Sequence, residues 1–311
     1  MGFVTVSLDA LAAEFSEHRT HLLGVAYRLT STVADAEDAV QEAWLRLSTV
    51  DSSHRSEIRD LKGWLTTVVG RICLDRLRSA AVRRERYTGT WLPEPVVTPL
   101  GSLSEDPLDT IVREDGVRMA ALVVLDKLTP EQRVAFVLHD AFSVPFSEIA
   151  DTLGCTQATA RQHASRGRKA LADADPPPRA SLDEQRVLLE RFVGALASGD
   201  LQAVVRLLHP DVTLIGDADG KARTARQIIV GQDKVARFLL GLMQRYGPDR
   251  ITGVGAPVLV NGDLGLLLPD MPGDEGHIDL TRRVSSFAVR DDKIIGVYDM
   301  ANPAKLTRLP A

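Results

Sequence analysis

Helical periodicity runs from Leu8 to Ala172 with one interruption, and then it stops. Past Asp173–Ala180 (DADPPPRA), whose consecutive prolines make a stiff, extended linker, helix patterns alternate with strand patterns. Turn signals accompany the change, at Asn261-Gly262, Pro272-Gly273 and Asp291-Asp292. A chain whose period changes this way cannot be one bundle or one sheet. The expectation is a multidomain protein, with two all-α blocks followed by an α+β block. The interruption lies between the helical blocks and holds WLPEP (Trp91–Pro95) and LGSLSEDP (Leu100–Pro107), where prolines and glycines forbid a continuous helix. The expected boundaries are 1–87 for the first block, 88–115 for the linker, 116–172 for the second block, 173–180 for the Pro-rich linker and 181–311 for the third block.

The chain of 311 residues carries a net charge of −5, so it is not a general polyanion binder. Local charge differs. Lys62, Arg71, Arg76, Arg78, Arg83, Arg84 and Arg86 crowd one segment against Asp75 and Glu85 alone. Arg161, Arg166, Arg168 and Lys169 crowd another, between Cys155 and Leu171, with no acid among them. Clustered cations of this kind are the footprint of phosphate contacts. Cys73 and Cys155 lack Cys-x-x-Cys spacing, which argues against a disulfide framework or a thiolate metal site, so no cofactor and no metal are expected. No apolar run approaches the ~18 residues of a membrane span. The N-terminus has early acids and no basic stretch, so a cytoplasmic protein is expected.

In the first block Ala36, Ala39, Val40, Ala43, Trp44 and Leu47 recur at helical spacing and form one apolar face. Asp35 and Asp38 sit in its first turn, where the helix dipole favours acids. Glu37, Gln41 and Leu45 fall on the opposite side, a surface suited to a protein partner. The next helix, GWLTTVVGRICLDRLRS (Gly63–Ser79), buries Trp64, Leu65, Val68, Val69 and Ile72. Arg71, Asp75 and Arg78 share another face, and Arg76 and Arg83 form a second row. An arginine row can hold a DNA backbone, and an aromatic such as Trp64 can stack on an unpaired base, although a core tryptophan is an equally good reading.

In the second block Thr129 caps a helix with Pro130 at its first position. A short helix follows from Ser147, with Ile149, Ala150 and Leu153 inward, and Gly154 ends it. Thr156 caps a third, basic helix. Two helices joined by a glycine turn, the second basic, form the helix-turn-helix pattern. The recognition helix exposes Gln157, Thr159, Arg161, Gln162 and Arg166. Arginine pairs bidentately with guanine and glutamine with adenine in the major groove.

These residues resemble a known family. DAEDAVQEAWLRL (Asp35–Leu47) with GWLTTVVGRICLDRLRS resembles region 2 of the extracytoplasmic-function (group 4) RNA polymerase sigma factors. The stretch from Leu128 to Leu171 resembles their region 4. YTGTWLPEP (Tyr87–Pro95) is similar to the linker of the sigma-J-like subgroup, which has a fused C-terminal SnoaL-like domain. DADGKARTA (Asp217–Ala225) and NPAKL (Asn302–Leu306) resemble two further motifs of that subgroup. The resemblance implies two all-α sigma domains, a region 2 bundle and a region 4 helix-turn-helix, plus an α+β SnoaL-like, NTF2-like cone. It implies a promoter-specificity factor whose partners are core RNA polymerase and the −10 and −35 elements of promoter DNA. Asp38, Gln41, Glu42 and Leu45 would bind polymerase. Trp64, Arg71, Asp75, Arg76 and Arg78 would engage the −10 element, and Gln157, Thr159, Arg161, Gln162 and Arg166 the −35 element. The cone would regulate in cis through Trp91, Leu92, Pro93, Asp219, Gly220, Lys221, Asn302, Pro303, Lys305 and Leu306, with no dedicated anti-sigma factor required. Gly167 stands where the family commonly has alanine, which costs about 1 kcal/mol of helix propensity and predicts a marginal region 4 or an altered −35 preference.

In the third block a helix from Val187 to Leu196, a helix-then-strand at SGDLQAVVRLLHPDVTLIGD, a helix at GQDKVARFLLGLMQRYG and a hairpin at HIDLTRRVSSFAVRDDKIIGVYDM are expected. Cones of this type hold an apolar pocket with room for a small-molecule ligand, and some are cyclases or isomerases. His209, Asp211, His277 and Asp279 are the candidate acid-base groups, but their spacing makes no catalytic constellation, and exposed loop positions are the better reading. No enzyme is expected. The alternatives are a ligand-binding or cyclase/isomerase-like cone fused to a DNA-binding regulator, and an ordinary repressor or activator that never binds polymerase. The repressor has no use for a −10 melting helix.

Overall fold

The computed structural model describes residues 8–84, 87–101, 106–114 and 117–309. The chain divides into two compact units. One comprises Met1–Glu85, Glu105–Val117 and Ala121–Asp175, and the other Arg86–Ser104, Arg118–Ala120 and Pro176–Ala311.

The described part of the first unit is helical: α1 (Leu8–Thr30), α2 (Val33–Thr49), α3 (Ser52–Arg55), α4 (Leu61–Arg84), α5 (Pro107–Glu114), most of α6 (Met119–Leu125), α7 (Pro130–Phe136), α8 (Phe146–Leu153) and α9 (Gln157–Ala174). The apolar stripe read for α2 is its buried face: Ala36, Ala39, Val40, Ala43 and Leu47 are buried, and Trp44 is half-buried against Phe15. On α4, Leu65, Val69, Ile72, Cys73 and Leu77 face α1 and α2. Trp64 and Val68, read as buried, are half-buried.

The caps of the second helical block lie where the sequence places them. Thr129 and Gln132 form a reciprocal capping box at the start of α7. Gly154 ends α8 in the left-handed region (φ 66°), and Thr156 accepts from the Thr159 amide at the start of α9. A π-helical turn, Val137–Ala141, extends α7.

The second unit is built on a seven-stranded sheet with the order β1-β4-β5-β6-β7-β2-β3. Its strands are β1 (Val97–Pro99), β2 (Leu208–Asp217), β3 (Ile229–Val230), β4 (Ala256–Val260), β5 (Asp263–Leu268), β6 (Arg283–Arg290) and β7 (Lys293–Met300). Helices α10 (Leu182–Ser198), α11 (Leu201–Leu207), α12 (Gln232–Tyr246) and α13 (Pro248–Val254) complete it. Neighbouring strands are antiparallel except β2 and β7, which run parallel. Two tight hairpins occur at the expected pairs, Asn261-Gly262 (φ 50° and 75°) and Asp291-Asp292 (φ 48° and 55°). Pro272-Gly273 instead lies in a loop closed by a bridge between Met271 and Leu280. The core of this unit lies where Phe192, Leu214, Val235, Phe287 and Val297 meet. Among the described residues, no helix is long and apolar enough to cross a membrane.

Candidate functional site

Three surfaces and one buried cluster gather the residues singled out above. The first surface is on α2. Asp38, Gln41 and Leu45 are exposed and Glu42 is half-buried, all on the side away from α1. Leu45 keeps 56% of its surface accessible beside these polar residues. Its acidic neighbours are held from α4: Arg76 lies 3.1 Å from Asp35, 3.4 Å from Asp38 and 3.8 Å from Glu42.

The second surface is on α4. Arg71, Asp75 and Arg78 are exposed along one face, as their spacing requires. Arg78 donates from Nε and Nη2 to Glu131 of α7, at 3.1 and 2.9 Å. Thr67 donates to Glu148 of α8 at 3.1 Å. Gly70 lets Leu138 approach, since a Cβ there would stand 3.0 Å from a Leu138 methyl. Part of α4 is therefore packed against the second helical block. Arg133 of α7 secures the same closure. Its side chain is 1% exposed, donates to the Arg28 carbonyl that ends α1 and to Ser31, and pairs with Asp126. The side chains of Arg83, Arg84 and Arg86 lie outside the described residues.

The third surface is on α9. Gln157, Arg161, Gln162 and Arg166 are exposed on one side. Arg161 also lies over the Phe146 ring at 5.4 Å. Thr159 is half-buried, and its hydroxyl bonds that of Thr156 at 2.9 Å. The inward side of α9 is a stripe of small residues, Ala160, Ala164 and Gly167. At Gly167 a Cβ would stand 2.7 Å from the Phe136 Cβ and 3.2 Å from the Gln132 carbonyl. Glycine here sets the close approach of α9 to α7. That contact gives glycine a packing role here beside its cost in helix propensity.

The buried cluster lies within the second unit, around Asp217 at the end of β2. Asp217 is 0% exposed. Its carboxylate accepts from the Tyr87 hydroxyl, from the Leu92 amide at 2.7 Å and from Lys305 Nζ at 2.7 Å. Lys305 also donates to the Leu92 carbonyl and stands 3.7 Å from the Trp91 ring centroid. Asn302 donates to the Tyr87 oxygen at 2.6 Å and caps the turn Pro303–Lys305. Burial and the adjacent carboxylate push the Tyr87 phenol well above its ordinary range. WLPEP is thus folded into the sheet unit: Leu92, Pro93, Glu94 and Pro95 are buried, and β1 pairs with β4 just beyond. Asp219 (φ 48°) accepts weakly from the Thr88 amide at 3.4 Å, and Gly220 (φ 69°) lies against the Thr88 side chain. Lys221 pairs with Asp219 at 2.8 Å. Leu306 is buried.

Asp217 and Tyr87 were not picked out by sequence reasoning, although each begins a motif that was quoted. The missed signal was the acid that ends the expected strand of VTLIGD. Asp263 is a second hub of this kind. It accepts from Arg118 at 2.8 Å, and from Arg179 and Gln185 at 3.2 Å each. Both linkers are thereby tied to the sheet unit.

Between the sheet and helices α10, α12 and α13 lies a cavity of about 140 Å³, lined mostly by apolar side chains. His209, Asp211, His277 and Asp279 do not line it. His209 accepts from the Asp211 amide, His277 bonds Asp274 at 2.8 Å, and Asp279 accepts from the Gly273 amide. These are local loop contacts.

Comparison with known proteins places each surface in a recognised module. Residues 15–83 match the family Sigma-70 region 2, residues 118–171 match Sigma-70, region 4, and residues 189–297 match SnoaL-like domain. The chain is 52% identical over 304 residues to the ECF RNA polymerase sigma factor SigJ of Mycobacterium tuberculosis, covering 96% of this chain and 94% of that one. It is 34% identical to the probable ECF RNA polymerase sigma factor SigI of the same species, over 75% of this chain and 77% of that one. The crystal structure of Mycobacterium tuberculosis SigJ superposes with a TM-score of 0.80 at 49% identity, covering 96% of this chain and 99% of that one. The chain belongs to the extracytoplasmic-function RNA polymerase sigma factors, and carries sigma-70 regions 2 and 4 followed by a SnoaL-like domain.

Proposed function

We propose that the three surfaces divide the work of promoter recognition in the cytoplasm. The α2 face of Asp38, Gln41, Glu42 and Leu45 docks on core RNA polymerase. The exposed row Arg71, Asp75 and Arg78, with Trp64 at its head, engages the −10 element. Gln157, Arg161, Gln162 and Arg166 read the −35 element in the major groove. Arg76 has a positioning role, because its ion pairs hold the acids of the polymerase-docking helix. The observation that carries the reading is the solvent-facing row on α9, set on a glycine-ended turn and backed by a close small-residue contact. Transcription by core polymerase on a promoter panel tests it. Arg161→Ala is expected to relax discrimination at one −35 position by about 1–3 kcal/mol, roughly a 5- to 150-fold effect. Leu45→Glu is expected to abolish core binding while leaving the fold intact. Wild-type output from both variants would contradict the assignment.

The closure of the first unit supports a resting state. Elements 25 positions apart on DNA lie roughly 85 Å apart at 3.4 Å per base pair. Helix α4 cannot serve one element while its face packs on α7 and α8, with α9 at the other. We read Arg133, Arg78 and Thr67 as the contacts that open on polymerase. The SnoaL-like domain regulates in cis by holding the linker through Asp217 and Lys305, so that no separate anti-sigma factor is required. It binds and does not catalyse. This is supported by the position of all four candidate acid-base residues outside the cavity. A soluble anti-sigma protein that proved necessary for shut-off would count against the cis reading.

A further inference from the structure

We propose that the cavity of the SnoaL-like domain binds a neutral, single-ring or indole-sized apolar molecule with one hydrogen-bonding group, and that Arg283, Asp299 and Thr224 couple its occupancy to the linker grip. The binding half is independent of the reading of promoter recognition. The coupling half rests on the proposed role of the grip.

Size and lining set the ligand class. A cavity of about 150 Å³ walled by Leu, Ile and Phe stays dry and takes benzene in another protein. The cavity here has about 140 Å³ and is walled by residues such as Phe192, Leu214, Phe238, Leu242, Ile251 and Phe287. Phe238, Leu239, Leu242 and Ile251 are only half-buried, so an apolar molecule seated there would remove further apolar surface from water.

Charge sets the rest. The polar lining of the cavity holds an ion pair, Arg283 with Asp299 at 3.3 Å, with exposures of 4% and 11%, beside Tyr246, Thr252 and Ser285. Arg283 is fully engaged: Nε donates to the Thr281 carbonyl at 3.2 Å, Nη2 to the Arg223 carbonyl at 3.1 Å, and its guanidinium lies over the Tyr246 ring. Asp299 accepts from Thr224 at 2.6 Å and from Ser285 at 3.3 Å. The pair is internally neutral. Arg283 and Asp299 already satisfy each other, so a carboxylate or an ammonium ligand would compete with the pair and add a net charge to a buried site that is balanced without it.

The same pair reaches the linker. Thr224 and Arg223 lie in the loop that begins at Asp217 and carries Asp219 and Gly220. Gly216 pairs with Asp299 across β2 and β7, and a Cβ on Gly216 would fall 2.0 Å from the Thr224 hydroxyl. Glycine at this position is what lets Thr224 fold back onto Asp299. The carboxylate on the cavity wall and the carboxylate that holds Leu92 thus sit at neighbouring positions on paired strands and are joined by one loop.

The test uses the full chain without polymerase. Indole and p-cresol are titrated by calorimetry beside benzoate and benzylamine. The neutral pair is expected to bind with a Kd on the order of 0.1 mM, and the charged pair at least about tenfold more weakly. Leu242→Trp fills the cavity and should abolish binding with its melting temperature retained. Leu239→Phe serves if that variant does not fold. Hydrogen exchange of the Leu92 amide, whose N–H is held by Asp217, reads the coupling. With ligand at ten times its Kd, exchange should slow about tenfold. In Thr224→Val that slowing should be lost while affinity stays within about threefold. Absence of binding by both neutral probes, or equal binding of benzoate, would overturn the site. Binding without slowing at Leu92 in the wild-type chain, or slowing retained in Thr224→Val, would overturn the coupling. None of these results depends on transcription, so a failed promoter assay would leave them interpretable.

Discussion

Replacing Lys305 by Met tests the buried grip on the linker. In the native chain its ammonium bonds the carboxylate of Asp217 and the carbonyl of Leu92, and the side chains of the pair are 9% and 0% exposed. Methionine fills most of the volume but leaves Asp217 charged and buried. Breaking a buried pair from one side costs about 3–5 kcal/mol. Asp217 keeps the Tyr87 hydroxyl and the Leu92 amide, so the lower end, about 3 kcal/mol, is expected. With a urea slope of about 2 kcal/mol/M, the midpoint of the second unit should fall by roughly 1.5 M. Trp91 packs on Lys305, and with Trp44 and Trp64 changed to Phe its fluorescence follows this unit alone. Asp217→Asn combined with Lys305→Met removes both charges and should recover at least about 2 kcal/mol of the summed single losses. A single loss below about 1 kcal/mol, or no coupling in the double variant, would refute the account of the cluster.

Three further outcomes are expected. The Tyr87 phenol is raised in the folded chain, so its contribution is complete below an unfolded value near 10 and is lost as pH climbs from there toward the folded value. Alkaline titration of stability should show that fall in the wild type and a smaller one in Tyr87→Phe. Gly167→Ala should destabilise the first unit by roughly 1–3 kcal/mol in thermal melts, because overpacking against Phe136 outweighs the gain in helix propensity, and a stabilised variant would contradict the packing. Burial pushes the Cys73 thiol up to about 12, so a thiol reagent at pH 8 should label Cys155 in the folded chain and reach Cys73 only after unfolding.

Much of the helical half was legible because its signals are local. The α2 stripe, the Thr129 and Thr156 caps and the Gly154 stop are each decided within one or two turns of helix, and periodicity and capping chemistry find them. The exposed rows on α4 and α9 follow from the same spacing. What escaped depends on partners distant in sequence. Arg76 reads as one of a row of DNA-facing cations until three acids of α2 are placed around it. Gly167 reads as a weak point until Phe136 is set against it. The segment after Trp91 reads as a linker, since nothing local shows that β4 has an open edge for Val97–Pro99 to pair with. Asp217 is the clearest case. Its three donors come from Tyr87, Leu92 and Lys305, at least 88 residues away in sequence, and only the folded unit brings them together.

The central claim is that regions 2 and 4 direct core RNA polymerase to promoters and that the SnoaL-like domain regulates them in cis. The most direct test is in vitro transcription with purified core polymerase on a panel of promoters, comparing the full chain with a chain ending at Asp175, the last residue of the first unit. Promoter-specific transcripts from the full chain, with a different yield from the shortened one, are the expected result. Absence of transcripts and of core binding with both chains would contradict the promoter role, and equal yields from the two would contradict regulation by the fused domain.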